Sequence, residues 1–202
     1  MSEIIPLFSV PVYTTTLDIP EQKFQHVLNY CKELKFYQNA GHNFASHNRD
    51  ILSEPMFAEI RELIQTEINH YTKNIMMWDS NEFYITQSWV NVNPKDTEHH
   101  IHYHYNSIIS GTFYLQTSDN DNIVFHRRSE VALLNMERSS FNIWNSDFWK
   151  VQVKNNSIVL FPSPLYHSVD KNETEYERVS IAFNVFARGE FGTEKGLTYL
   201  KL

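Results

Sequence analysis

The sequence predicts a mainly β fold, a sandwich or barrel, with helices packed on its outside. Two observations support this fold class. After about Trp78, short runs of β-branched and aromatic residues alternate with polar residues and are followed by turn residues. Before that point, two apolar stripes repeat at helical spacing. Several short strands with no helical pattern between them are typical of sandwiches and barrels.

The N-terminal part predicts an extended edge segment followed by two helices. Ile5–Tyr13 alternates apolar residues with prolines, which suits an edge strand because proline donates no ladder hydrogen bond. Pro20 suits the first turn of one helix. Ser53 is expected to cap a second helix with Pro55 just inside it. Gly41–Asp50 is rich in His, Asn and Ser and predicts a loop.

The remainder of the chain contains six candidate strands and no internal repeat or flexible linker. The candidate strands are Phe83–Val92, Ser107–Gln116, Asn122–His126, Trp149–Val153, Ser157–Phe161 and Arg178–Phe186. We therefore expect a single domain over residues 1–202. In this domain, residues 1–77 form the edge strand and helices, residues 78–188 form the β core, and residues 189–202 form a short tail.

Composition excludes several classes of protein. The chain of 202 residues has a single cysteine, Cys31, so it has neither a disulfide framework nor a cysteine-based zinc cluster. Its formal net charge of −7 argues against binding bulk nucleic acid, because phosphate contacts need a basic surface. No apolar stretch reaches the roughly 18 residues of a membrane span, and the start lacks a signal-peptide pattern. We expect a cytoplasmic protein without a membrane partner.

Histidines are concentrated in one short segment. Four of the ten fall within His99–His104. Residues two apart in an extended chain point the same way, so we expect His100, His102 and His104 to share one face. Imidazoles at this spacing can hold one metal ion from neighbouring positions of a sheet. The alternative is a solvated polar loop whose histidines bind nothing.

A second group of candidate residues lies further along the chain. The predicted strand Ser157–Phe161 runs into a proline-shaped turn that ends at His167. The next strand opens at Arg178 and places Ser180 and Asn184 on the same face. A guanidinium is a planar double donor suited to a carboxylate. Taken alone, His167 would more often be a core or surface histidine, and Arg178 a solvated charge.

Five motifs occur in order along the chain. They are Pro6-Leu7-Phe8-x-x-Pro11-Val12-Tyr13, Gln87-Ser88-Trp89-Val90-Asn91, His102-x-His104-x-Asn106-Ser107-x-x-Ser110-Gly111-x-x-Tyr114, Leu160-Phe161-Pro162-Ser163-x-Leu165-x-His167 and Arg178-x-Ser180-x-x-Phe183-Asn184. Together they resemble the 2-oxoglutarate- and Fe(II)-dependent oxygenases, particularly a small subgroup common in marine bacteria and their phages. The resemblance is strongest over residues 85–186. It implies a double-stranded β-helix (jelly-roll, cupin-like) core, with Fe(II) as cofactor and 2-oxoglutarate as co-substrate.

The resemblance also implies roles for individual residues. It makes His102 and His167 metal ligands and Arg178 the residue that binds the far carboxylate of 2-oxoglutarate. Ser180 is expected to add a hydroxyl to the same carboxylate. Tyr114 and Asn106 are further candidate contacts to the co-substrate. Barrel packing or turn structure would explain the presence of these two residues equally well.

The chain departs from the family pattern where the superfamily has Asp or Glu, because His104 occupies that position. The usual non-haem iron site has two histidines and one carboxylate. We expect His104 to be the third ligand, which leaves the site with one more positive charge and strengthens its attraction for a dianion. Alternatively, Glu98 or Asp96 approaches the metal, His100 takes a ligand or supporting role, or water fills the position.

The resemblance implies oxidative decarboxylation of 2-oxoglutarate to succinate and CO₂, coupled to hydroxylation of a small-molecule or amino-acid-type substrate. Two other functions remain open. A three-histidine, cupin-like metalloprotein would not use 2-oxoglutarate, and a silent β-sandwich binding module would hold no metal. Arg127 and Arg128 follow a predicted strand; they either reach the mouth of the barrel, where they would meet an acidic substrate, or form an ordinary exposed turn. The N-terminal edge segment would allow strand pairing in a homodimer.

Overall fold

The computed structural model describes residues 3–79, 81–127 and 137–202. Arg128 therefore lies outside the described residues. The helices are α1 (Glu21–Lys32) and α2 (Ala58–His70), with short 3₁₀ turns at Ile51–Ser53 and Pro55–Phe57 and a π turn at Tyr71–Ile75. The strands are β1 (Tyr13–Thr16), β2 (Phe36–Gln38), β3 (Phe44–Ser46), β4 (Glu82–Asn93), β5 (His99–His102), β6 (Ile109–Gln116), β7 (Asn122–His126), β8 (Phe148–Gln152), β9 (Ser157–Pro162), β10 (His167–Val169), β11 (Arg178–Arg188), β12 (Glu190–Phe191) and β13 (Leu200–Lys201).

Two antiparallel sheets make up the β core. The larger has the strand order β1-β9-β6-β11-β4-β3-β2, and the smaller has the order β5-β10-β7-β8. From β4 to β11 the chain passes repeatedly from one sheet to the other, since β4, β6, β9 and β11 belong to the larger sheet. The other strands of that stretch belong to the smaller sheet. The eight strands from β4 to β11, divided between two facing sheets in this way, form a jelly roll. This confirms the predicted double-stranded β-helix.

The helices cover the outside of the larger sheet, as the sequence predicts. Ile60, Ile64 and Ile68 of α2 lie four residues apart on one helix face and are fully buried. They share one apolar cluster with α1 and with strand residues such as Val90 and Ile181. A second, smaller cluster joins β6, β7 and β9 between the sheets. No helix of the described residues is long and apolar enough to cross a membrane.

All six predicted strands are present, and their observed ends lie within two residues of the predicted ones. Other boundaries were wrong. The edge strand begins at Tyr13 rather than Ile5, and residues before Tyr13 form no strand in the described part. The predicted loop contains β3, which β2 and β4 stabilise by pairing on both sides. Ser53 does not cap α2, because 3₁₀ turns intervene and its hydroxyl bonds to Asp50.

Candidate metal and co-substrate site

Three predicted histidines meet at one end of the space between the sheets. His102 ends β5 and His167 opens β10, and the two residues are direct antiparallel partners. His104 follows β5 and completes the group. One ring nitrogen from each histidine lies within 4.8 Å of the other two. Nitrogen ligands of one ion are at most about 4 Å apart, twice a bond of about 2 Å, so a small further approach would bring them together.

Hydrogen bonds to Nδ1 orient two of these rings. The Nδ1 atom of His102 lies 2.8 Å from the carbonyl oxygen of His100, and Nδ1 of His167 lies 3.0 Å from the carbonyl oxygen of Leu165. A carbonyl oxygen only accepts, so each Nδ1 carries the proton and donates. Each Nε2 therefore retains a free lone pair for a metal.

His104 is oriented by side chains instead of backbone. Its Nδ1 lies 2.6 Å from Oδ1 of Asn184 and 2.8 Å from Oγ of Ser110. The Ser110 hydroxyl lies 2.9 Å from Oγ of Ser163, which donates to Ser107. This chain lets Ser110 donate to Ser163 and accept from His104. Nδ1 of His104 therefore also carries the proton, and its Nε2 has the same free lone pair.

Burial keeps the three imidazoles neutral. It lowers the pKa of His102 to about 4, with a smaller contribution from His104. Burial also lowers the pKa of His104, and it lowers that of His167 well below its ordinary value, with help from His102. A metal binds the neutral form of imidazole. At neutral pH the cluster is therefore ready to bind a cation without first losing protons.

The predicted face of the histidine segment is wrong in one respect. The ring of His99 stacks on that of His102 with centroids 4.3 Å apart, and His99 lines the same cleft, whereas His100 is exposed. The reason is a bulge, because His102 pairs with His167 while His99 pairs with Val169, so three steps on β5 oppose two on β10. The extra residue brings His99 and His102 to one side.

A cleft between the sheets runs from the three histidines to Arg178. Three buried atoms in its lining have no hydrogen-bond partner among the described residues: Nε of Arg178, Nδ2 of Asn93 and Oδ1 of Asn91. Arg178 and Asn93 are direct cross-strand neighbours, so their side chains are on the same face of the sheet. Other lining residues are Trp89, Thr112, Tyr114, Ser180 and Ala182.

Arg178 also has an acidic partner that the sequence reasoning missed. Its Nη2 donates to Oδ1 of Asp121, and both side chains are almost completely buried. The second carboxylate oxygen of Asp121 accepts a hydrogen bond from the backbone N–H of Ser118 at 2.7 Å. Arg178, which lines the cleft, is thus held in place through Nη2, while its buried Nε has no hydrogen-bond partner among the described residues.

Of the two further candidate contacts to the co-substrate, Tyr114 lies at the cleft and Asn106 does not. Tyr114 is buried and lines the cleft, and burial raises the pKa of its hydroxyl. Asn106 does not contact the cleft, because it occupies an exposed turn between β5 and β6 with a φ of 52°, a conformation that asparagine tolerates better than most residues. Its assignment as a co-substrate contact is corrected accordingly.

No carboxylate joins the three histidines in the described ranges. Asp96 is exposed and pairs with Lys171 at 2.7 Å. Glu98 is also exposed, and its backbone pairs with that of Gly41. The alternatives that brought either side chain to the metal are therefore not supported.

The residues present fit both groups that the resemblance implies. Imidazole nitrogens suit iron among the transition metals, and three neutral rings with free lone pairs converge at one end of the cleft. At the other end, the unpartnered donors of Arg178 and Asn93 and the nearby hydroxyl of Ser180 suit a carboxylate. A 2-oxo acid with a distal carboxylate has complementary groups at its two ends.

Comparison with known proteins agrees with this chemistry. Residues 87–184 match the family described as "Putative 2OG-Fe(II) oxygenase", and this stretch contains the three histidines, Arg178 and Asp121. A search of curated proteins gives no match.

Solved structures share the fold at low sequence identity. HygX from Streptomyces hygroscopicus, with nickel, 2-oxoglutarate and hygromycin B bound, is 13% identical, with a TM-score of 0.62 over 87% of this chain and 82% of that one. A prolyl-4-hydroxylase from Pseudomonas putida is 12% identical, with a TM-score of 0.62 over 91% and 96%. The epimerase SnoN, in complex with Fe³⁺, alpha ketoglutarate and nogalamycin RO, is 11% identical, with a TM-score of 0.64 over 88% and 79%. Over residues 87–184, the greater part of its β core, the chain matches the 2OG-Fe(II) oxygenases, enzymes that use Fe(II) and 2-oxoglutarate.

Proposed function

We propose that the chain is a hydroxylase whose Fe(II) is bound by His102, His104 and His167, with 2-oxoglutarate held between the metal and Arg178. The proposal rests on one observation: three imidazoles with free lone pairs face buried, unpartnered donors across a single cleft. Three protein ligands leave three positions for the co-substrate and O₂. Histidine thus takes the place of the usual carboxylate ligand.

Each pocket residue then has a definite task. Arg178 would donate from Nε to the distal carboxylate, and Ser180 would add its hydroxyl. Tyr114 is a buried residue of the cleft lining, and the ring of Phe161 packs 4.7 Å from that of His167, where it would shield the metal ligand from water. Bound Fe(II) and 2-oxoglutarate supply the oxidising chemistry, in which O₂ converts 2-oxoglutarate to succinate and CO₂ and a substrate C–H bond is hydroxylated.

The proposed substrate is a small molecule or an amino-acid-type compound. Two fold neighbours support this class, since HygX was solved with hygromycin B and SnoN with nogalamycin RO. Polar and aromatic side chains line the cleft next to the histidines, among them Trp89, whose ring lies 5.8 Å from that of His104. Such a lining suits a compact ligand with polar groups.

The test is an anaerobic titration with Fe(II) and then with 2-oxoglutarate. A visible metal-to-ligand charge-transfer band that needs both additions is expected in the wild type. His167→Ala should abolish it. His26→Ala is the matched control, because this histidine is exposed on α1 and does not line the cleft; the band should persist.

The other outcomes separate the competing functions. Iron binding without the band would favour a three-histidine metalloprotein that does not use 2-oxoglutarate. Absence of stoichiometric iron would favour a silent binding module. Succinate formation from 2-oxoglutarate in air, lost in His167→Ala, would complete the assignment.

A further inference from the structure

Asp121, the buried partner of the cleft residue Arg178, is a charged group that the proposed function does not use. It precedes β7 of the smaller sheet and reaches Arg178 on β11 of the larger sheet. The Asp121 side chain is 5% exposed and is fixed by the backbone N–H of Ser118. Among the described residues that line the cleft, Arg178 is the one with a permanent charge. Asp121 neutralises it.

The charge balance of the site explains why such a partner matters. In an iron site with two histidines and a carboxylate, the carboxylate ligand offsets the arginine that anchors the co-substrate, while Fe(II) offsets the 2-oxoglutarate dianion. Here the three ligand candidates are imidazoles, which bind a metal in their neutral form. Without another acid, the buried complex would carry one uncompensated positive charge, which is costly in a low-dielectric interior.

We propose that Asp121 supplies the negative charge that a carboxylate ligand supplies in other iron sites, and that it does so at the co-substrate anchor instead of at the metal. The inference rests on the proposed function. Asp121 then has two effects on 2-oxoglutarate. It holds Arg178 in place, and its charge lowers the attraction of the pocket for a dianion to the level of a neutral complex.

A charge-exchange experiment tests the inference without turnover. The dissociation constant of 2-oxoglutarate is measured anaerobically on the Fe(II) protein for the wild type, His104→Asp, Asp121→Asn and the double variant. His104→Asp adds a negative charge and should weaken binding about tenfold or more, since unit charges interact strongly at the dielectric of a protein interior. The double variant should bind 2-oxoglutarate within about threefold of the wild type, because relative to the wild type the negative charge is only moved.

Asp119→Asn is the matched control. It removes one negative charge from the same connection between β6 and β7, but from an exposed position. The dissociation constant of 2-oxoglutarate should therefore stay at its wild-type value. His104→Glu serves in place of His104→Asp if the shorter carboxylate does not retain the metal. Thermal melting confirms that each variant is folded.

A second measurement needs no change at His104. The wild type and Asp121→Asn are compared for 2-oxoglutarate and for 2-oxopentanoate, which ends in a methyl group in place of the distal carboxylate. The charge role predicts that Asp121→Asn increases the preference for 2-oxoglutarate by about tenfold. A purely structural partner of Arg178 predicts a smaller preference, because the anchor would lose its orientation.

The outcomes distinguish failure of the charge role of Asp121 from failure of the proposed function. A double variant that binds 2-oxoglutarate as weakly as His104→Asp, or a reduced preference for 2-oxoglutarate in Asp121→Asn, would overturn the charge role and leave the proposed function intact. A wild-type protein that binds Fe(II) but not 2-oxoglutarate would overturn the proposed function, and the inference with it.

Discussion

Replacing Asn184 with leucine should weaken metal binding although this side chain is not itself a proposed ligand. Its Oδ1 accepts the Nδ1 proton of His104 over 2.6 Å. Loss of such a partner typically costs 10–100-fold in metal affinity, or about 1.4–2.7 kcal/mol. Oγ of Ser110 remains 2.8 Å from the same nitrogen, so we expect the lower limit, about tenfold, for Asn184→Leu. Asn184→Leu combined with Ser110→Ala should approach the upper limit.

The assay is an anaerobic Fe(II) titration against a competing chelator. Asn184→Asp should bind Fe(II) at least as tightly as the wild type, because a carboxylate acceptor raises the basicity of the imidazole. Gln87→Ala is the matched control, since Gln87 contacts the other end of the Asn184 amide at 3.4 Å and does not touch His104. Affinities within twofold of the wild type for both the single and double leucine variants would refute the role of Asn184.

Three further predictions concern the anchor, the core and pH. Arg178→Met should abolish 2-oxoglutarate binding while Fe(II) binding persists, and it should lower the free energy of unfolding by about 3–5 kcal/mol because Asp121 is left buried and unpaired; calorimetric titration and chemical denaturation check both. Gly111→Ala would drive a Cβ into the ring of Phe183, and the overpacking should cost about 1–3 kcal/mol or more, visible as a lower Tm. The pKa of His102 is about 4 in the folded state against an ordinary 6.5, so below pH 6.5 the unfolded metal-free chain takes up the proton first. The free energy of unfolding should therefore fall between pH 6.5 and about 4, and a value that stays constant from pH 7.5 to 4.5 in urea titrations would contradict this.

The six main strands were predictable because alternation of apolar and polar residues is a local property of the sequence. The ligand candidates were predictable for a related reason, since a dense histidine segment is visible without knowledge of the fold. The bulge in β5 was not predictable. It depends on pairing with β10, and it replaces the expected face of His100 with that of His99.

Other parts of the site depend on contacts between segments far apart in the chain. Asp121 lies in a polar turn that resembles many solvated turns, and its partner Arg178 is 57 residues away. Asn184 ends a recognisable motif, yet its contact with His104 spans 80 residues. β3 forms within a polar segment because two neighbouring strands supply its hydrogen bonds. Only the assembled sheets bring these groups together.

Strand β11 carries Arg178 near its start and Asn184, which supports His104, six residues later on the same face. At about 3.3 Å per residue, the two positions are roughly 20 Å apart along a backbone that is paired on both sides by β4 and β6. Such a backbone cannot stretch, so β11 fixes the distance between the two ends of the cleft. We therefore expect β11 to select the length of the 2-oxo acid. A 2-oxo acid that is one carbon longer or shorter than 2-oxoglutarate should contact only one end of the cleft well.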